Sequence, residues 1–155
     1  MAFTTPKAII DGLYDLIKSL DPDGRAAGGG YRFEPRSGAV TWDDVPDSDR
    51  DRRFTVEALT RNDIQMFGTI NEIDYVGTFD VHIMHNVTKE ERDGMVRRDA
   101  DLFQIMEELE DKDNFDTMAG VSLIRKDSYT SPKTMDKKHW YSVLRFRINF
   151  TLAAP

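Results

Sequence analysis

The sequence predicts an α+β fold. A single domain over residues 1–155 should hold a mostly antiparallel or mixed sheet, packed by an N-terminal helix and a second, long amphipathic helix, with a long polar arm. Three observations predict it. Apolar residues at three- and four-residue spacing open the chain, apolar and polar residues alternate over 140–152, and a capped, densely charged stretch of helical period lies between them. A chain of 155 residues can bury a substantial core, and its apolar content, 39% of residues, is not depleted as in a disordered chain.

Thr5 before Pro6 is a helix start, a hydroxyl to receive a free amide followed by a ring that lacks the N–H needing a partner. The helix should run to about Leu20, because Ile9, Ile10, Leu13, Leu16, Ile17 and Leu20 fall on one stripe. From Asp21 to Arg52 the glycines 24, 28–30 and 38 and the prolines 22, 35 and 46 preclude long elements. Residues 21–52 therefore read as a flexible arm or insert that orders on assembly, with Tyr31–Phe33 and Ala39–Trp42 as short strands or docking pieces.

Phe54–Leu59 alternates as a strand, Arg61–Asp63 reads as a turn, and strand character resumes from Tyr75 to Met84. Tyr75, Gly77, Phe79, Val81 and Ile83 share one face, expected to be buried, and Val76, Thr78, Asp80, His82 and Met84 share a mixed one. Thr88 with Glu91 forms a capping box for a helix to about Asp111. Its stripe is Met95, Leu102, Phe103, Met106 and Leu109, with Val96 and Ile105 at the margins. Gly120–Arg125 is a short strand, residues 127–138 a projecting hairpin loop, and Trp140–Leu152 a long strand whose even-numbered residues share one face.

The same residues exclude several kinds of chemistry. There is no cysteine, which removes disulfides and thiolate sites. No basic leader precedes an apolar run, and no stretch reaches the roughly 20 apolar residues that span a bilayer, so a soluble, unexported protein without membrane contact is expected. A net charge of −7 argues against phosphate-driven binding of nucleic acid. The glycines of 24–30 are followed by Tyr31-Arg32-Phe33 rather than Lys-Ser/Thr, so they read as a linker and not as a phosphate loop. His82 and His85 stand three apart on a strand and point to opposite faces, which keeps them from sharing one metal ion. The carboxylates of Glu107, Glu108, Glu110, Asp111 and Asp113 crowd one helix end and read as solvated. No catalytic, cofactor or metal site is expected, and the chain is not expected to be an enzyme.

Charge is unevenly spread. Asn86 to Met118 holds five basic and eleven acidic residues, a balance of −6, whereas Arg125 to Arg147 holds seven basic and two acidic, a balance of +5. Two readings stand. Either the acidic helix lies beside the basic hairpin of its own chain, or it meets that of a second copy in a head-to-tail contact. In the second reading the interface residues are Arg125, Lys126, Lys137, Lys138, Arg145 and Arg147 on one side and Glu107, Glu108, Glu110 and Asp111 on the other.

The order of parts, a capped helix, a Gly/Pro/Asp arm, strands, the Thr88-capped helix and a hairpin ending in Trp140-Tyr141-Ser142-Val143-Leu144-Arg145-Phe146-Arg147-Ile148-Asn149-Phe150, resembles the tail-terminator proteins of long-tailed bacteriophages. The likeness extends over roughly the whole chain as an arrangement. It implies a virion structural protein, assembled in the host cytoplasm, that forms a hexameric ring on the tail tube, ends tube polymerisation and offers a surface for head–tail joining at the neck. The implied partners are further copies of the chain, the tail tube protein and a neck or head-completion protein, with tape-measure and sheath proteins as further neighbours. Neither catalysis nor a cofactor is implied. A tail-completion or neck adaptor protein is the related alternative. From another class comes a small metal-dependent hydrolase using His82 or His85 with Asp80 and helix carboxylates.

Overall fold

Thr5 starts the first helix as its sequence demands. In the computed structural model, which describes residues 3–20, 22, 33–35, 52–59, 65–69, 72–86, 91–130 and 139–152, Thr5 Oγ1 accepts from the Ala8 amide at 3.1 Å. Helix α1 then runs Pro6–Ser19 and buries Ile9, Leu13 and Ile17 completely. Each such side chain removed from water contributes about 1.5–3 kcal/mol, which holds α1 to the sheet by its stripe.

The remaining elements are β1 (Glu34–Pro35), β2 (Arg53–Ala58), β3 (Gln65–Thr69), β4 (Glu72–Asn86), α2 (Glu91–Glu110), α3 (Lys112–Phe115), β5 (Val121–Thr130) and β6 (His139–Leu152). Six strands form one mixed sheet in the order β1-β2-β4-β6-β5, with β3 paired to β4 outside that path. Among the described strands only β1 runs parallel to its neighbour and the other strand pairings are antiparallel, while Thr4 makes an isolated parallel bridge to Leu152. The centre is the β4–β6 ladder, unbroken from Ile73 opposite Leu152 to Asn86 opposite His139.

The alternation read from sequence is realised on both central strands. Trp140, Ser142, Leu144, Phe146, Ile148 and Phe150 are buried on β6, as are Gly77, Phe79, Val81 and Ile83 on β4. These side chains meet α1 and α2, both packed on this face. Gly77 is required by its neighbours: a Cβ there would lie 3.0 Å from the rings of both Phe150 and Phe79. Phe150 in turn stacks on Tyr75 and meets Phe79 edge-on.

Several boundaries differ from the sequence reading. Residues 65–69 form a strand paired with 72–76, so Gly68 lies inside a hairpin rather than before a strand; the turn expected at 61–63 lies outside the described residues. Strand β5 continues to Thr130, so the loop expected over 127–138 loses its first four residues to the ladder, and 131–138 lie outside the described set. A register shift between Lys126 and Ser128 absorbs Asp127, which lets the polar run keep pairing with β6. Gly120 precedes the strand at φ 74°, where a Cβ would sit 2.8 Å from the backbone of Phe3 and Thr4.

Helix α2 also departs from expectation. Ile105, placed at the margin, is fully buried, whereas Phe103, placed on the stripe, is 63% exposed. The buried stripe is Asp101, Leu102, Ile105, Met106 and Leu109. Strand β5, against which α2 packs, is the last in the sheet among the described residues, and none of the described strands lies beyond it to cover Phe103. The Thr88 end of the capping box, and the side chains of Met95 and Val96, lie outside the described residues. Of the 21–52 arm, Phe33 is fully buried in the core and Glu34–Pro35 pairs with β2, so this part docks within a single chain.

Candidate functional site

Beneath α2, three polar side chains from distant segments converge inside the core. Arg52, at φ 56°, precedes β2; His85 ends the inward face of β4; Asp101 stands on the α2 stripe. Arg52 Nε and Nη2 donate to the two Asp101 oxygens at 2.7 and 3.0 Å, and His85 Nε2 lies 2.8 Å from Oδ2. All three are at most 1% exposed. Burial alone raises the Asp101 pKa, but hydrogen bonds from His85 and Arg52, and then their charges, outweigh it and hold the carboxyl below its ordinary value. The arrangement ties β2, β4 and α2 together, and Phe33 lies over the Arg52 guanidinium at 6.0 Å. His85 Nδ1 and Trp140 Nε1, on directly opposed residues of β4 and β6, are buried without a hydrogen-bond partner among the described residues.

The opposite face of the sheet carries a second polar row. Asp80 accepts both guanidinium hydrogen bonds of Arg145, at 2.8 and 2.9 Å, across the β4–β6 ladder. His82 stacks on Tyr141, with Nδ1 against the Tyr141 hydroxyl and Nε2 3.0 Å from Glu57 Oε2. This fits Nε2–H donating to the carboxylate while Nδ1 accepts from the hydroxyl. His82 and His85 thus face opposite sides of the sheet, as the period of the strand requires. Asp80 is bound to Arg145, and among the described residues no three His, Asp or Glu side chains are grouped as a metal site would need.

The charged residues expected at an interface are distributed as follows. Arg125 and Lys126 are exposed on β5, and Arg125 lies directly opposite Arg147, a like-charge pairing that costs stability in one chain. Arg147 is 3.3 Å from Asp127, and Arg145 is half-exposed and held by Asp80. Glu107, Glu110 and Asp111 are exposed at the end of α2, and Asp111 caps α3. Glu108 has a local role: Asn114 Nδ2 donates to its carbonyl and to its carboxylate at 2.8 and 2.7 Å, closing the helix end. Lys137 and Lys138 lie outside the described residues. Among the described residues, no ion pair joins the acidic helix end to Arg125, Lys126 or Arg147.

Sequence reasoning missed the buried ion pair and the exposed Phe103. The signal for the first was available: Asp101 lies four residues before Ile105, which puts a carboxylate on the apolar stripe, where an acid persists only if paired.

No family model and no curated protein matches this sequence. Among solved structures, the fold is similar to a chain in the virion of a native gene transfer agent particle, at 11% identity and a TM-score of 0.45, over 63% of this chain and 68% of that one. No helix among the described residues is long and apolar enough to cross a membrane.

Proposed function

We propose that this chain is a structural protein of a phage-like virion, a tail terminator that caps the tail tube as a hexameric ring. In this reading it ends tube polymerisation, offers a surface for head–tail joining at the neck, and performs no catalysis. Its partners are its own copies, the tail tube protein and a neck or head-completion protein, with tape-measure and sheath proteins as further neighbours.

The observation that carries the reading is the exposure of both charged regions within one chain. Glu107, Glu110 and Asp111 face water at one helix end, and Arg125, Lys126 and Arg147 face water on the β5 side. Among the described residues no ion pair joins the two sets, so Glu107, Glu110, Arg125 and Lys126 remain available to a neighbouring subunit of the opposite sign. Two different surfaces that complement each other between copies close a ring when the rotation permits. The order of helix, arm, strands, helix and long hairpin supports the specific assignment.

The test is native mass spectrometry of the chain alone and with tail tube protein, combined with imaging of tubes. Six-fold assemblies seated on one tube end are expected. A chain that never associates with tubes overturns the terminator assignment, and decoration of a separate neck ring instead identifies an adaptor.

A further inference from the structure

His85 and Trp140 are both fully buried, yet His85 Nδ1 and Trp140 Nε1 make no hydrogen bond to each other or to any other described residue. Buried polar atoms in folded proteins are nearly always bonded, to protein or to an ordered water. These two lie close together for two reasons. The residues stand directly opposite across the β4–β6 ladder, so their side chains leave the same inward face with Cβ atoms about 4.5–5.5 Å apart. Both rings also lie beneath one turn of α2: Asp101 Oδ2 is 2.8 Å from His85 Nε2, and Arg98, three residues earlier, sits over the Trp140 ring at 5.1 Å.

The polarity of the two atoms narrows what can join them. The indole N–H of Trp140 only donates. The Asp101 carboxyl is held below its ordinary value, so it is ionised and accepts, which places a hydrogen on His85 Nε2. Nδ1 is then an acceptor in the neutral imidazole and a donor in the imidazolium. A fixed protein acceptor beside the indole would leave one of these two states unmatched, and an apolar side chain would match neither. A water oxygen accepts the indole hydrogen and can turn either a hydrogen or its second lone pair towards Nδ1.

From this arrangement we infer that a single water molecule is bound between His85 Nδ1 and Trp140 Nε1, under residues 98–101 of α2. The water carries the Arg52–Asp101–His85 chain of hydrogen bonds onward to Trp140. One buried network then joins the residue before β2, both central strands and α2, and the helix is held to the sheet by directional bonds as well as by its apolar stripe. None of the surfaces invoked for ring assembly takes part, so the water site and the terminator reading stand or fall separately.

A crystal structure of the full chain at a resolution that orders internal water tests the site directly. One density peak is expected at about 2.7–3.2 Å from both nitrogens. A direct Trp140–His85 hydrogen bond, a protein group bonded to either nitrogen, or no density between them overturns the inference. NMR provides the measurement in solution. Trp42→Phe leaves Trp140 as the sole tryptophan, so its indole N–H signal is assigned without altering the site. That signal should show a cross-peak at the water frequency with opposite signs in NOE and ROE spectra, the mark of a long-lived bound water. A visible indole signal with no such cross-peak also overturns it.

Discussion

Asp101 and Arg52, 49 residues apart in sequence, meet through two hydrogen bonds in a part of the core that excludes water almost completely. His85 completes the set on the same carboxylate oxygen that Arg52 Nε uses. Removing the carboxylate would take two hydrogen bonds and a counter-charge from a buried guanidinium. Asp101→Ala should therefore cost about 3–5 kcal/mol, read as a lower urea midpoint with an unchanged slope. A loss under about 1 kcal/mol would mean that water reaches Arg52 in the folded protein.

The same carboxyl makes stability depend on pH in a defined direction. Its pKa is depressed in the folded state, so its contribution is fully present above the ordinary value of 3.8 and is lost as pH falls through the lower folded value. Urea titrations over this acid range should show stability falling with pH, and Asp101→Asn should flatten that slope. An identical slope in the Asn variant would assign the acid sensitivity to other carboxylates.

Gly77 holds space for two rings. Gly77→Val should destabilise the fold by about 1–3 kcal/mol through overpacking against Phe150 and Phe79. Thermal unfolding measures the loss, and a melting temperature equal to wild type would show that the rings can yield.

For the charged surface, the informative substitutions avoid Arg145, because its guanidinium is held by Asp80 within the chain. Arg125→Glu with Lys126→Glu should weaken assembly most at low salt, where screening is least, and leave the monomer fold intact. Reversing Glu107 and Glu110 to Lys in the same chain should recover part of the association. Sedimentation in low-salt and high-salt buffer reads both effects, and assembly unaltered at low salt would remove these residues from the interface.

What was legible in the sequence was whatever one period or one cap decides. The Thr5 cap, the α1 stripe and the faces of β4 and β6 follow from local spacing, and all appear as expected. The β3 hairpin and the full length of β5 were not legible, because polar residues such as Ser128 and Thr130 join a ladder only when a long partner such as β6 supplies the pairing. The position of Phe103 depends on where the sheet stops, which no helical period encodes. Of the candidate site, the sign separation was visible in the residue order, but the engagement of Arg145 by Asp80 and of Glu108 by Asn114 required the tertiary fold.

The β4–β6 ladder also constrains when the protein can fold. Asp80 and Arg145 are 65 residues apart, and β6 is the latest of the described strands in the chain, yet it lies between β4 and β5. During synthesis, α1, β2, β4 and α2 all leave the ribosome before the strand that joins the two halves of the sheet. Until residues 139–152 emerge, one side of β4 stays open and β5 lacks β6 to pair with, so the nascent chain carries exposed strand edges from the completion of β4 until β6 appears.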